Sequence, residues 1–326
     1  MKKTLKRALA LSCAAIMLVT CMTGCGKKEG DSSGSGQQQS QTEKKGRKLA
    51  MICGSAEMPF TQVLVAGAES AVRDGDELAI YYCDWDAAKE VQLMEDICAN
   101  GVDMLMIDPA DPNALLPALQ TAQDSKTPVI SYDCSTNYPE FLKCQISSDD
   151  YEAGYLIAKE LFDALGGKGV IQSYVTNTTK NSQNRLAGLR KALEEYPDIE
   201  LVYNCEERFD PESAVKVFEQ MLQAHPETDA FFCANENIVK AAVTVLDSNG
   251  LKGKILLGNV GAGTMIKDYL NDGSIHCSYD SQPYLMGQMT IETCYEILDN
   301  GTEYDASDPI MVPGEIRKMG DDYFAG

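Results

Sequence analysis

The chain has 326 residues, 44% apolar and 24% charged, an ordinary soluble composition that excludes a fibrous, wholly disordered or polytopic membrane protein. Its 28 basic and 49 acidic residues leave a formal net charge of −21, which repels phosphate backbones and argues against a nucleic-acid partner. Histidine occurs only at His225, before Pro226 after a helix, and His276, expected in a strand, so a His-rich metal site is excluded and a histidine-based catalytic triad is not expected.

The first segment reads as an address. Lys2, Lys3, Lys6 and Arg7 precede a mostly apolar run over 8–22, the length of a signal h-region and short for a membrane span. It ends in Met22-Thr23-Gly24-Cys25, which resembles the bacterial lipobox, whose cysteine is acylated and becomes the new N-terminus. Residues 1–24 are therefore expected to leave as a signal peptide, with Cys25 as the lipidation site. That removes four positive and no negative charges, so 24 basic residues face 49 acidic ones, a formal −25. Such a surface is not drawn to anionic lipid, and the acyl chains must supply the membrane affinity. Residues 25–47 read as a flexible tether, because GKKEGDSSGSGQQQSQTEKK (26–45) offers no large apolar side chain to seed a core.

From Lys48 onward, apolar runs of strand length recur: LAMIC (49–53), LAIYYC (78–83), MLMI (104–107), PVISY (128–132), VIQSY (170–174), LVYNC (201–205), AFFC (230–233) and ILLG (255–258). Segments of helical spacing lie between most of them. Val91, Met94, Ile97 and Cys98 share one helix face, as do Ala153, Leu156, Ile157 and Leu161, with Glu160 a polar exception. Asp210-Pro211-Glu212 opens a helix with a capping residue and a first-turn proline, and Asn249-Gly250 and Asn300-Gly301 close helices. Continuous apolar strands alternating with helices predict an α/β fold whose mostly parallel sheets are covered on both faces. A body of about 280 residues exceeds one compact core, so two such lobes are expected.

Cysteine is plentiful. Beyond Cys13, Cys21 and Cys25, nine remain: Cys53, Cys83, Cys98, Cys134, Cys144, Cys205, Cys233, Cys277 and Cys294. There is no C-x-x-C pair, an odd number cannot all pair, and several end apolar strands as small hydrophobes. Mostly buried free thiols are expected, with Cys134 and Cys144 the one pair near enough in sequence to be an exception.

Ligands of parallel sheets bind beyond the carboxyl ends of the strands. The loops there hold Glu57-Met58-Pro59-Phe60, Asp84-Trp85-Asp86, Asp108-Pro109-Ala110-Asp111, Asp133, 177–185, Arg208-Phe209-Asp210, Asn235-Glu236-Asn237, Asn259-Val260-Gly261 and Tyr279-Asp280-Ser281-Gln282. Carboxylates and amides give directional bonds to hydroxyls, and aromatic faces cover the C–H side of a sugar ring. Asp84, Asp86, Asp108 and Asp111 read better as caps and turn formers. Trp85 is either a platform at the cleft rim or lobe packing. No G-x-S-x-G elbow, P-loop or H-E-x-x-H motif occurs, so no enzyme, cofactor or metal is expected.

In order along the chain stand Met58-Pro59-Phe60, Ala88-Lys89-Glu90, Ile107-Asp108-Pro109-Ala110-Asp111, Pro128-Val129-Ile130 before Asp133, and Ser148-Asp149-Asp150-Tyr151-Glu152-Ala153-Gly154. Asn184-Arg185 before Gly188, Ala234-Asn235-Glu236, and Pro283 before Gly287 follow. From Lys48 to the end the chain resembles the ribose/galactose-type periplasmic binding proteins, the sugar-binding components of ABC importers, in lipoprotein form. The resemblance implies a type I two-lobed fold closing on ligand about three hinge crossings, placed near Asp149, Ser281 and Ile310. It divides the body into an N-terminal lobe (48–148 and 282–310) and a C-terminal lobe (149–281 and 311–326). It places Phe60 and Phe209 where the family stacks aromatics on sugar, and Asp133, Arg185 and Asn235 where it binds hydroxyls. Glu57, Met58, Asn259 and Asp280 complete the candidate set.

The chain departs from the ribose-type pattern at three points. Asp133-Cys134 replaces Asp-Arg, Gly258-Asn259-Val260 replaces Gly-Phe-Asp, and Ser281 stands at the binding glutamine. Each lost charged hydrogen bond is worth roughly 1.5–3 kcal/mol, so a ligand other than ribose is expected. Another monosaccharide, a short saccharide, a polyol or a nucleoside fits. The expected function is a lipid-anchored receptor on the outer face of the cell membrane, delivering its ligand to an ABC permease. The alternative is a sensory receptor of the same fold signalling to a membrane kinase or chemoreceptor.

Overall fold

The computed structural model describes residues 46–176, 179–207, 210–261 and 263–321; Cys25 and Phe209 lie outside them. The first part of the chain runs β1 (Lys48–Cys53), α1 (Pro59–Ala71), β2 (Glu77–Tyr82), α2 (Ala87–Asn100), β3 (Met104–Ile107), α3 (Leu116–Ser125), β4 (Val129–Tyr132) and β5 (Cys144–Ser148). The second runs α4 (Asp150–Ala164), β6 (Lys168–Tyr174), α5 (Lys180–Leu193), β7 (Asp198–Cys205), α6 (Pro211–Ala224), β8 (Ala230–Cys233), α7 (Glu236–Ser248), β9 (Leu256–Val260), α8 (Thr264–Asn271) and β10 (Cys277–Asp280). The chain then returns through α9 (Pro283–Asn300) to β11 (Ile310–Val312) and β12 (Glu315–Arg317).

These strands form two six-stranded sheets, ordered β11-β5-β4-β3-β1-β2 and β12-β10-β9-β8-β6-β7. Every pairing is parallel except that of β10 with β12. The pleat explains why the apolar runs are unbroken. Leu49, Met51 and Cys53 face a core completed by Leu64 and Ala68 of α1 and Met286, Ile291 and Tyr295 of α9. Ala50 and Ile52, on the opposite face, join Met94 and Ile97 of α2 and Leu119 of α3. Fully burying one such large side chain contributes roughly 1.5–3 kcal/mol. The second sheet carries one continuous core that includes Ile157, Leu161, Phe218, Phe231 and Val245.

Helix ends follow the sequence signals. Asp210 caps α6 by accepting from the Ser213 N–H at 2.9 Å, and Gly301 ends α9 in a left-handed conformation (φ 66°). All nine described cysteines are buried and free, Cys134 and Cys144 included, so the possible exception does not arise.

Four local expectations differ. Asn259 and Val260 lie inside β9 and Tyr279 and Asp280 inside β10, because both strands continue past their most apolar residues. The segment 177–185 is not all loop: α5 begins at Lys180 and carries Asn181 and Arg185. His276 stands just before β10 rather than in a strand. The third crossing falls between Val312 and Glu315, not at Ile310, because Ile310–Val312 pairs with β5 in the first sheet.

Candidate functional site

The carboxyl ends of the two sheets meet around Asp133. This residue follows β4 in a left-handed conformation (φ 54°), which aspartate tolerates better than most side chains. Its Oδ1 accepts from Asn181 Nδ2 at 3.2 Å, a bond running from the first turn of α5 to the other lobe. Cys134 Sγ lies 3.9 Å from its Oδ2, and Ser147 Oγ donates to its carbonyl at 3.2 Å. A second close approach joins the lobes: a Cβ built on Gly263 would stand 3.8 Å from Pro59 Cβ.

Arg185 lies one turn beyond Asn181 on the same face of α5. Its Nε and Nη2 reach Asp150 Oδ1 at 2.7 and 2.6 Å, and Nη1 donates to the Ala234 carbonyl at 2.8 Å. The guanidinium is thus held in place by protein groups. Burial works against its charge, but Asp150 and Asp133 together hold Arg185 above its ordinary pKa.

Carboxyl groups crowd the floor of the site. Asp108, at the end of β3, is 3% exposed and accepts from the Cys134 N–H at 3.3 Å. Burial, then Asp133 and Glu90, raises Asp108 well above the carboxylate range. Burial and the nearby Asp150 push Asp133 up to about 7, against the pull of Arg185. Glu90 is wholly buried on α2; its Oε2 accepts from the Ala110 N–H at 2.9 Å, and Oε1 has no hydrogen-bond partner. Burial raises Glu90 to about 7.

These groups set a pH dependence. A carboxyl whose folded pKa exceeds its unfolded one holds an extra proton in the folded state between the two values, so stability falls as pH rises through that window. For Glu90 the window is 4.5 to about 7. The melting midpoint should therefore drop between pH 5 and pH 8. Glu90→Gln should remove about 3 kcal/mol of that loss. An unchanged pH slope in the variant would refute the assignment.

The candidate residues divide. Asp133 and Arg185 are brought together with Asp150 and Asn181. Asn259 is wholly buried at the carboxyl end of β9, and neither of its amide atoms has a hydrogen-bond partner. It lies beside Glu236, since a Cβ on Gly261 would meet both side chains, at 2.3 Å from Glu236 Cγ and 3.0 Å from Asn259 Nδ2. Phe60, in the first turn of α1, is half-buried against the first-lobe core.

Other candidates have structural roles. Asn235 caps α7, its Oδ1 accepting from the Ile238 N–H at 3.0 Å. Asp280 braces the hinge: Oδ1 accepts from the Gln282 N–H at 2.8 Å, and Oδ2 from Arg317 Nη2 at 3.2 Å. Gln282 also donates to the Pro313 carbonyl at 2.7 Å, tying two crossings together. Glu57 is exposed in the loop before α1. Met58 lies under Trp85, whose Nε1 is 3.0 Å from the Met58 sulfur. The indole covers Gly54, where a Cβ would stand 2.3 Å from the ring, so Trp85 packs on the loop after β1.

Sequence reasoning missed Asn181, Asp108 and Asp150. The signal for Asn181 was its four-residue spacing from Arg185. Asp108 resembled a turn former, and Asp150 an ordinary first-turn acid. A surface hollow of about 310 Å³, lined in part by Ile255, Leu257, His276 and Lys318, opens at the opposite end of the second sheet, away from this chemistry. Burial, and then the charge of Lys318, lowers the pKa of His276 there. Among the described residues no helix is long and apolar enough to cross a membrane.

Two six-stranded α/β sheets, three crossings between them and polar groups of both brought together beyond their carboxyl ends define a type I two-lobed binding fold. The sequence pattern of the periplasmic binding protein domain matches residues 49–303, and the chain belongs to that family. It is 25% identical over 257 residues to the ribose import binding protein RbsB of Bacillus subtilis, covering 78% of this chain and 83% of that one. It is 22% identical over 303 residues to a D-apiose import binding protein of Paraburkholderia graminis, covering 92% and 91%. A solute-binding protein structure from Actinobacillus succinogenes with bound D-allose superposes with a TM-score of 0.77 at 26% identity, covering 83% of this chain and 97% of that one. These relatives are binding proteins and not enzymes, in agreement with the absence of catalytic motifs in the sequence.

Proposed function

We propose that the chain captures a sugar or sugar-like polar ring compound between its lobes and delivers it to the permease of an ABC importer. The carrying observation is the Asp133–Asn181 bond between lobes, set beside an Arg185 already locked by Asp150. Closure brings a carboxylate, an amide and a guanidinium into one water-poor space, where directional bonds to hydroxyls are strongest. The relatives named for ribose and D-apiose import and the D-allose complex support this ligand class. The changes at Cys134, Val260 and Ser281 remove polar partners of the ribose-type pattern, so ribose itself is not expected to be the best ligand.

The test is a thermal-shift panel on residues 46–326 with monosaccharides, disaccharides, polyols and nucleosides at ~1 mM. A ligand with Kd near 1 μM adds roughly 4 kcal/mol of stability, enough to move the midpoint by several degrees. A cooperative melt that no compound shifts would overturn the reading.

Cys25 carries the lipid that holds the protein at the outer face of the cell membrane, and residues 26–47 let the lobes stand off the surface. Cys25→Ser should move the protein from the membrane fraction to the soluble one in a bacterial host. Retention of the variant in the membrane fraction would refute the anchor.

A further inference from the structure

We propose that the ligand carries a protonated amine, an amino sugar being the fitting class, and that Asp133 and Asp108 receive its ammonium group. The inference rests on the cleft reading above and concerns what that cleft selects.

Buried carboxylates need a cation or a proton. Among the described residues, Arg185 is the cation hydrogen-bonded into this group, and three of its nitrogens are already engaged by Asp150 and the Ala234 carbonyl. Asp133 is left with neutral partners, Asn181 Nδ2 at 3.2 Å and the Cys134 thiol at 3.9 Å. Asp108 accepts from the Cys134 N–H at 3.3 Å. Asp108 and Asp133 each offer an oxygen, and Cys134 its sulfur, with these atoms all within 4.8 Å of one another. Two carboxyls hold more acceptor sites than these donors fill. Behind them stands Glu90, with a buried oxygen that has no partner. An ammonium group brings three donors, no acceptor and a positive charge that lets both acids ionise. A neutral hydroxyl brings one donor and no charge.

A separate feature points to a ligand. Asn259 is fully buried at the carboxyl end of β9 and both its amide atoms lack partners. A donor and an acceptor side by side match a ring hydroxyl, which needs one of each. The first lobe offers two carboxyls, and the second an amide set beside the Glu236 side chain. The overall charge of −21 favours the approach of a cation. A bare divalent metal suits the three-atom cluster less well, because burial and the neighbouring carboxyls keep the Cys134 thiol protonated.

The test is calorimetric titration of residues 46–326 at pH 7 in EDTA with D-glucosamine, D-galactosamine and D-mannosamine, each paired with its neutral parent sugar. At least one amine should bind about tenfold tighter than its parent or better. Asp133→Asn should abolish that preference, with Asp108→Asn as the second variant should the first not melt cooperatively. Parent sugars binding as tightly as the amines would overturn the amine and leave the sugar-binding reading standing. A preference that survives in both variants would overturn the assigned carboxyls. In a parallel titration without EDTA, zinc chloride binding that Asp133→Asn abolishes, while no amine binds, would replace the ammonium by a metal. Failure of amines and parent sugars alike would overturn the amino-sugar inference and leave the wider ligand panel to decide the sugar reading.

Discussion

Arg185→Met is expected to lower the unfolding free energy of residues 46–326 by about 3–5 kcal/mol and to remove ligand binding. The stability loss arises at Asp150. That carboxylate is 3% exposed, and Arg185 meets it through two nitrogens. Removing the guanidinium leaves a buried acid without its cation, the costly way to break a buried pair. Burial already raises Asp150 above its ordinary pKa against the pull of Arg185, and without the arginine it rises further. The deficit should therefore shrink as pH falls from 7 toward 4, where Asp150 takes up a proton in the folded state. Adding Asp150→Asn should restore most of the stability at pH 7 without restoring binding. Urea denaturation of the two variants at pH 7 and pH 5 separates these terms. A single variant with the wild-type midpoint would show that the pair does not hold the site.

Gly188→Ala and Gly287→Ala should each destabilise the fold at the upper end of the overpacking range, about 3 kcal/mol. A Cβ on Gly188 would stand 2.0 Å from the Tyr151 carbonyl oxygen and one on Gly154 2.0 Å from that of Arg185. The same arrangement recurs in the other lobe, with Gly287 against Leu64 O and Gly67 against Tyr284 O, each at 2.0 Å. Backbone on both sides leaves no flexible side chain to yield, so the helices must separate. In the second lobe that separation has a functional reading, because α4 carries Asp150 and α5 carries Arg185. Gly188→Ala should therefore also weaken ligand binding more than Gly287→Ala does. Melting midpoints within a degree of wild type would show that neither pair of helices is so close.

The strands MLMI and AFFC were legible because all four residues of each are buried, and a doubly covered strand has no polar face. β5 was not, since Cys144-Gln145-Ile146-Ser147-Ser148 is half polar and its burial comes from neighbours distant in sequence. β11 and β12 have three residues each, too few for any period to show. In the site, Asp133 and Arg185 were marked by position after strands and by family resemblance. Asn235 and Asp280 carried the same marks, yet the first serves a helix cap and the second a hinge brace. A cap or a brace engages the side-chain oxygen, and position along the chain does not record which neighbouring atoms it meets.

Read alone, the sequence established the alternation of strands and helices, the two-lobed α/β class, the resemblance to sugar-binding proteins and the burial of the cysteines, because each is written in local pattern or residue order. Tertiary structure decided which acids stand together. Glu90, Asp108, Asp133 and Asp150 come from four places in the chain, and their raised pKa values exist only where packing removes water and sets them side by side. The close crossing of α4 and α5 at Gly154 and Gly188 likewise decided that Arg185 meets Asp150. Spacing along a chain records which residues share an element, whereas charge pairing depends on distances of a few ångströms between elements.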